Sequence, residues 1–167
     1  MRRRVLIVAT VVKHIEVRAS VEAAWDAIRD IGALHTRLVP GFVIDTKLEP
    51  GARIVTFGNG AILREPIVTL DEAERRLVWT ADAGRTRHYN ASAQVFANGA
   101  GALIVWTADF LPDEAKPAIE AAMTAGAAAM RAALDYSQAS HASPRGLNLY
   151  AAFRAPSASY KAVSNFI

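Results

Sequence analysis

From residue 42 to residue 111 apolar side chains recur at about every second position, and from Glu114 to Gln138 they recur at every third and fourth. Alternation is the period of a strand with one face turned inward, and the longer spacing is that of one helix stripe. A chain that changes period once, late, has few folds open to it. The strands must share one sheet, the sheet must cover its apolar face, and the last helix is the only long element left to cover it. The strand candidates are Phe42 to Leu48, Arg53 to Phe57, Ile62 to Leu70, Arg75 to Ala81, Arg87 to Ala97 and Ala102 to Leu111. Turn residues separate them at Pro50-Gly51, Gly58-Asn59-Gly60, Asp71-Glu72-Ala73-Glu74 and Asn98-Gly99-Ala100-Gly101, the last a hairpin signal.

Ahead of this meander lie one more strand, Val11 to Ala19, and a short amphipathic helix, Ser20 to Gly32. Ser20 is suited to cap its first turn and Glu22 to meet the helix dipole. Val21, Ala24, Trp25 and Ile28 fall on one stripe, so Trp25 reads as core. Gly32 is expected to end the helix in a left-handed conformation. Ile31 to Val39 reads as a second short helix that stops before Pro40. The fold class is therefore α+β: a curved antiparallel sheet, two short helices after the first strand, and a long C-terminal helix across the sheet.

The helical run ends near residue 138, which bounds one domain at 1–138 and leaves 139–167 as a tail expected to be flexible. In that tail Tyr150, Phe153, Tyr160 and Phe166 are unusual for a disordered extension, and a protein-interaction role is one reading of them. The chain has no cysteine, which excludes disulfides, thiolate metal sites and cysteine nucleophiles and fits a cytoplasmic location. The net charge of +3 is mild, and apart from Arg2-Arg3-Arg4 the basic residues are scattered, so no nucleic-acid partner is expected. The apolar run Val5 to Val12 is too short to span a membrane and lacks a signal-peptide cleavage site, so it reads as an overlong first strand. No integral membrane association is expected. The oligomeric state is open, a homodimer included.

A curved sheet with a helix across it encloses a volume, which is a ligand cavity wherever side chains leave it unfilled. In Arg87 to Val95 one face carries Tyr89, Ala91, Ala93 and Val95, and the other carries His88, Asn90, Ser92 and Gln94. Two alanines on the inward face leave space beneath the helix, so Tyr89 and Ala91 are expected to face a cavity and Ala91→Leu to fill it at little cost in stability. The same alternation sets Leu77, Trp79 and Ala81 on one face, with Trp79 in the pocket wall or at its rim. Both faces of Leu103 to Phe110 are apolar, so the direction of Trp106 stays open. Ile119, Met123, Gly126, Met130 and Leu134 form the helix stripe, and methionines there would suit a pocket wall.

The polar candidates are Glu65, Arg53, Arg87, Asp109 and the histidines. Glu65 with Arg53 or Arg87 would either orient a ligand oxygen or form a structural ion pair. His35 lies at the expected pocket mouth, as a surface residue or as an acid/base group. His14 and His88 should point outward, and the spacing of the histidines at 14, 35, 88 and 141 is not that of metal ligands. No metal and no cofactor is expected. Neither glycine loop opens a helix, so neither is a phosphate-binding turn.

Four stretches resemble the START-like, or helix-grip, superfamily. They are Ala19-Ser20-Val21-Glu22 with Trp25, Ile28, Asp30 and Ile31; Leu48-Glu49-Pro50-Gly51-Ala52; Leu70-Asp71 with Glu74-Arg75-Arg76-Leu77; and Trp106 with Asp109-Phe110-Leu111-Pro112. The resemblance covers residues 11–138 and points to the group that includes polyketide cyclases and dehydrases, birch-allergen-type proteins and plant abscisic-acid receptors. It implies a seven-stranded antiparallel sheet gripping the last helix, with a pocket between. Tyr89 and Glu65 match pocket residues of the receptors. Gly58-Asn59-Gly60 lacks their Leu-Pro gate and Gly84 to His88 departs from their second loop, so hormone sensing is not implied. No motif of the superfamily is catalytic throughout it, so the fold carries no activity with it.

The leading function is binding of a small apolar or amphipathic molecule in a cavity between sheet and helix. The expected contacts are Phe57, Glu65, Trp79, Tyr89, Ala91, Trp106, Met123 and Met130. The alternatives are a polyketide cyclase or dehydratase using Glu65, His35 or Asp109 as acid/base, and an interaction module working through the aromatic tail.

Overall fold

A computed structural model describes the backbone of residues 9–81 and 86–141, with side chains up to residue 137. The strands are β1 (Ala9–Val17), β2 (Val43–Glu49), β3 (Ala52–Phe57), β4 (Ile62–Asp71), β5 (Arg76–Thr80), β6 (His88–Asn98) and β7 (Gly101–Leu111). All seven join one antiparallel sheet in the order β1-β7-β6-β5-β4-β3-β2. Helix α1 (Val21–Arg29) and a π-helical turn, Leu34–Leu38, lie between β1 and β2, and the long helix α2 (Lys116–His141) closes the chain's described part. This is the helix-grip α+β fold that the periodicity and the resemblance lead one to expect. Residues 1–8 and 142–167, with the basic N-terminus and the aromatics of the tail, lie outside the described residues, as do Gly84 and Arg85.

Each element follows from its sequence. Strand β7 alternates without a fault: Ala102, Ile104, Trp106, Ala108 and Phe110 are buried, and their neighbours are half-exposed. The two apolar faces left the direction of Trp106 open, and pairing with β6 settles it, because Trp106 stands opposite Ala93 on the inner face. The hairpin between β6 and β7 closes at Asn98 and Gly101, with Gly99 at φ +58° in the turn. In α2 the buried residues Met123, Gly126, Met130 and Leu134 form the expected stripe toward the sheet.

Helix α1 is capped as expected: the Ala23 N–H donates to the Ser20 hydroxyl at 3.1 Å. Trp25 is buried, and its indole N–H donates to Glu72 in the β4–β5 turn at 2.7 Å. Arg29 reaches the same carboxylate at 2.7 Å, so α1 is clamped to that turn. The expected left-handed Gly32 is not found. The helix ends at Asp30, and Gly32 has no positive φ. Its reason is space, since a Cβ there would stand 3.0 Å from the Leu48 side chain.

The expected second helix over Ile31–Val39 is shorter and of another kind. Only Leu34–Leu38 is helical, closed by the Val39 N–H donating five residues back to the Leu34 carbonyl at 2.8 Å. Arg37 holds the turn to α1 through Asp26 at 2.5 Å and Asp30 at 2.8 Å. These bonds orient Leu34 and Leu38 inward.

Candidate functional site

The inner face of the sheet and the buried stripe of α2 do not meet everywhere. Between them lies a cavity of about 470 Å³. Its floor is the inward face of β3, β4 and β5, where Val55, Leu63 and Leu77 stand beside Arg53, Glu65 and Trp79. Ala93 of β6 and Trp106 of β7 continue the wall, and Ile119, Ala122, Met123 and Met130 of α2 form the roof. The π-helical turn and the start of β2 close one side through Leu34, Leu38, Val39, Phe42 and Val43. Phe42 meets Phe57 edge to face, with ring centroids 5.5 Å apart. Gly58 lets these two segments touch, because a Cβ there would lie 2.5 Å from the Gly41 carbonyl oxygen. Gly126 serves α2 likewise, since Trp106 and Phe42 both crowd the place its Cβ would occupy.

Seven of the eight residues expected to contact a ligand line this cavity: Phe57, Glu65, Trp79, Tyr89, Trp106, Met123 and Met130. Ala91 does not. It is fully buried on the same face of β6, paired with Trp79 and Ala108, and it belongs to the core beside the cavity. The empty space assigned to Ala91 is therefore at Ala93. The sequence alone points only to His35 at the mouth and does not show the apolar lining from Leu34, Leu38, Val39, Phe42 and Val43. The signal there was the apolar pair Phe42-Val43 following Pro40-Gly41, read only as the start of a strand.

The polar chemistry is gathered on β3 and β4. Arg53 and Glu65 face one another across the two strands, 2% and 7% exposed. The Arg53 Nε–H donates to Glu65 Oε2 at 2.7 Å, so the partner of Glu65 is Arg53. Arg87 is exposed. The Arg53 guanidinium carbon lies 5.3 Å from the Trp79 ring centroid, a cation–π arrangement in a place with little water to compete. Burial pushes the Tyr89 hydroxyl well above the usual tyrosine range, and the Glu65 carboxylate pushes it the same way, so Tyr89 is a neutral phenol in the cavity.

Two buried donors on the cavity wall lack a hydrogen-bond partner, Arg53 Nη1 and Trp106 Nε1. The other acid/base candidates lie elsewhere. Asp109 is on the outer face of β7, where it accepts from the Thr10 hydroxyl at 2.6 Å. His35 is half-buried on the π-helical turn and is not part of the cavity wall. His14 and His88 are exposed, as expected. Among the described residues no three histidine, aspartate or glutamate side chains are grouped to hold a metal ion. No helix among them is long and apolar enough to cross a membrane.

Known structures share this architecture. The XoxI protein of Bacillus cereus superposes with a TM-score of 0.68 at 21% identity, over 77% of this chain and 98% of its own. A point mutant of norcoclaurine synthase from Thalictrum flavum, bound to a transition-state analogue, gives 0.62 at 22% identity over 82% and 98% of the two chains. Major latex-like protein 151 of Panax ginseng gives 0.65 at 14% identity over 76% and 97%. At such identities the likeness is one of fold. No curated protein matches the chain. The family model described as polyketide cyclase/dehydrase and lipid transport matches residues 8–137, which span the sheet and nearly all of α2, and the chain belongs to that family.

Proposed function

We propose that this protein binds a small apolar or amphipathic molecule between the sheet and α2. The observation that carries this reading is the cavity itself. Its volume of about 470 Å³ falls within the roughly 300–1,000 Å³ of small-molecule sites. Its wall is mostly apolar, and its polar side chains are Arg53, Glu65 and Tyr89 with Thr86 and Glu114, a pattern suited to burying a hydrophobic body and orienting a polar end. Phe57, Trp79, Trp106, Met123 and Met130 would supply the apolar contacts. A lipophilic dye displaced by apolar competitors, followed by native mass spectrometry of the complex, tests this. The expected result is one molecule retained per chain and a rise in the unfolding midpoint. Saturation at a hundred times Kd contributes about 2.7 kcal/mol. A chain that takes up no apolar probe would remove the reading.

A second reading, a cyclase or dehydratase, is favoured by one observation: Glu65 and Tyr89 share the cavity, and the charge of one acts on the other. With His35 and Asp109 outside the cavity wall, this pair would be its acid/base set. Conversion of a polyketide-like ketone by the wild type and not by Glu65→Gln supports it. Equal slow conversion by both variants leaves binding as the function.

A further inference from the structure

The buried hydrogen-bonding atoms that the cavity wall leaves unpartnered are all of one kind. Its orphaned buried atoms, among the described residues, are Arg53 Nη1 and Trp106 Nε1, and both can only donate. A buried donor without an acceptor is costly, the more so on a charged guanidinium. Arg53 is also held in place: its Nε–H is committed to Glu65, and its plane lies by the Trp79 ring. It can neither swing out to water nor be satisfied by Glu65 alone. The occupant is then expected to bring an acceptor.

Charge decides which acceptor. Glu65 already neutralises Arg53 in a site nearly closed to water. A ligand carboxylate would bring a second negative charge to the same guanidinium, lose its own hydration, and meet the Glu65 carboxylate at close range in a medium that screens poorly. A carbonyl or hydroxyl oxygen accepts the same hydrogen bond and brings no net charge. We propose that the natural occupant is an uncharged, mostly apolar molecule bearing a carbonyl or hydroxyl oxygen, and that the Arg53 guanidinium holds that oxygen. This rests on the ligand-binding reading above and narrows it, because it sets fatty-acid-like anions apart from ketones, phenols and alcohols.

Three probes of matched shape separate the possibilities: ethylnaphthalene, acetylnaphthalene and naphthoate, titrated into the full chain by calorimetry. Acetylnaphthalene should bind roughly tenfold tighter than ethylnaphthalene, the worth of one hydrogen bond from a charged donor, and naphthoate should bind weakest. In the double variant Arg53→Met with Glu65→Leu, which removes both charges together, the preference for the acetyl over the ethyl probe should vanish. If naphthoate binds tightest in the wild type, or the ethyl and acetyl probes bind alike, the proposal is wrong and the binding reading stands. If none of the three binds, the binding reading itself is lost and this one with it. Should the double variant not fold, the wild-type order alone decides.

Discussion

Ala91 and Ala93, two positions apart on β6, divide core from cavity. Ala91 sits between Trp79 and Ala108, fully buried and off the cavity wall, whereas Ala93 sits between Leu77 and Trp106 and lines it. Ala93→Leu should therefore weaken uptake of an apolar probe and leave the unfolding midpoint nearly unchanged, since the added atoms enter open space. Ala91→Leu should do the reverse, costing about 1–3 kcal/mol by overpacking while the folded fraction still binds. Parallel thermal melts and dye titrations of the two variants read this directly. Both variants behaving alike would place the boundary elsewhere. Alternation along Tyr89 to Val95 was enough to turn both alanines inward. It could not tell which one borders a void, because that depends on what covers the sheet, and α1 packs against β6 and β7 as well as α2 lying over the sheet.

At the scale of elements, the strands and the two main helices were legible because each repeats its period over many residues. The segment between α1 and β2 was not. It is too short for periodicity to distinguish helix types, and its conformation is set by tertiary bonds from Arg37 to Asp26 and Asp30. Those bonds have a pH signature. Hydrogen bonding to Arg37 lowers the Asp26 carboxyl below the usual range, and the Trp25 indole lowers Glu72 likewise, with Arg29 adding to it. A carboxylate depressed in the folded protein contributes stability that is fully present above its unfolded value and lost as pH falls through the lower, folded one. The unfolding midpoint should thus be flat near neutrality and drop on the acid side of the ordinary carboxylate range. Glu72→Gln should make that drop shallower, and Trp25 fluorescence should report it. An acid profile identical to wild type would mean that the clamp on α1 adds nothing.

Across the whole molecule, the sheet and its helix followed from one late change of period, while the cavity did not. A hollow is a property of side-chain volumes from six or more elements at once, and only its alanine and methionine borders show in the chain. The strand order has a consequence for how the protein is made. Strand β1 has a single neighbour, β7, and its partners lie far along the chain, from Ala9 with Phe110 to Val17 with Ala102. During synthesis β1 emerges long before β7 exists, so it must wait without a partner until nearly the whole sheet has left the ribosome. Its outward residues Thr10, His14 and Glu16 are polar or charged and interrupt what would otherwise be an adhesive β-branched run. Nascent chains arrested before Gly101 should leave β1 open to protease, and chains arrested once β7 has cleared the exit tunnel should protect it: the fold is held back until its last strand arrives.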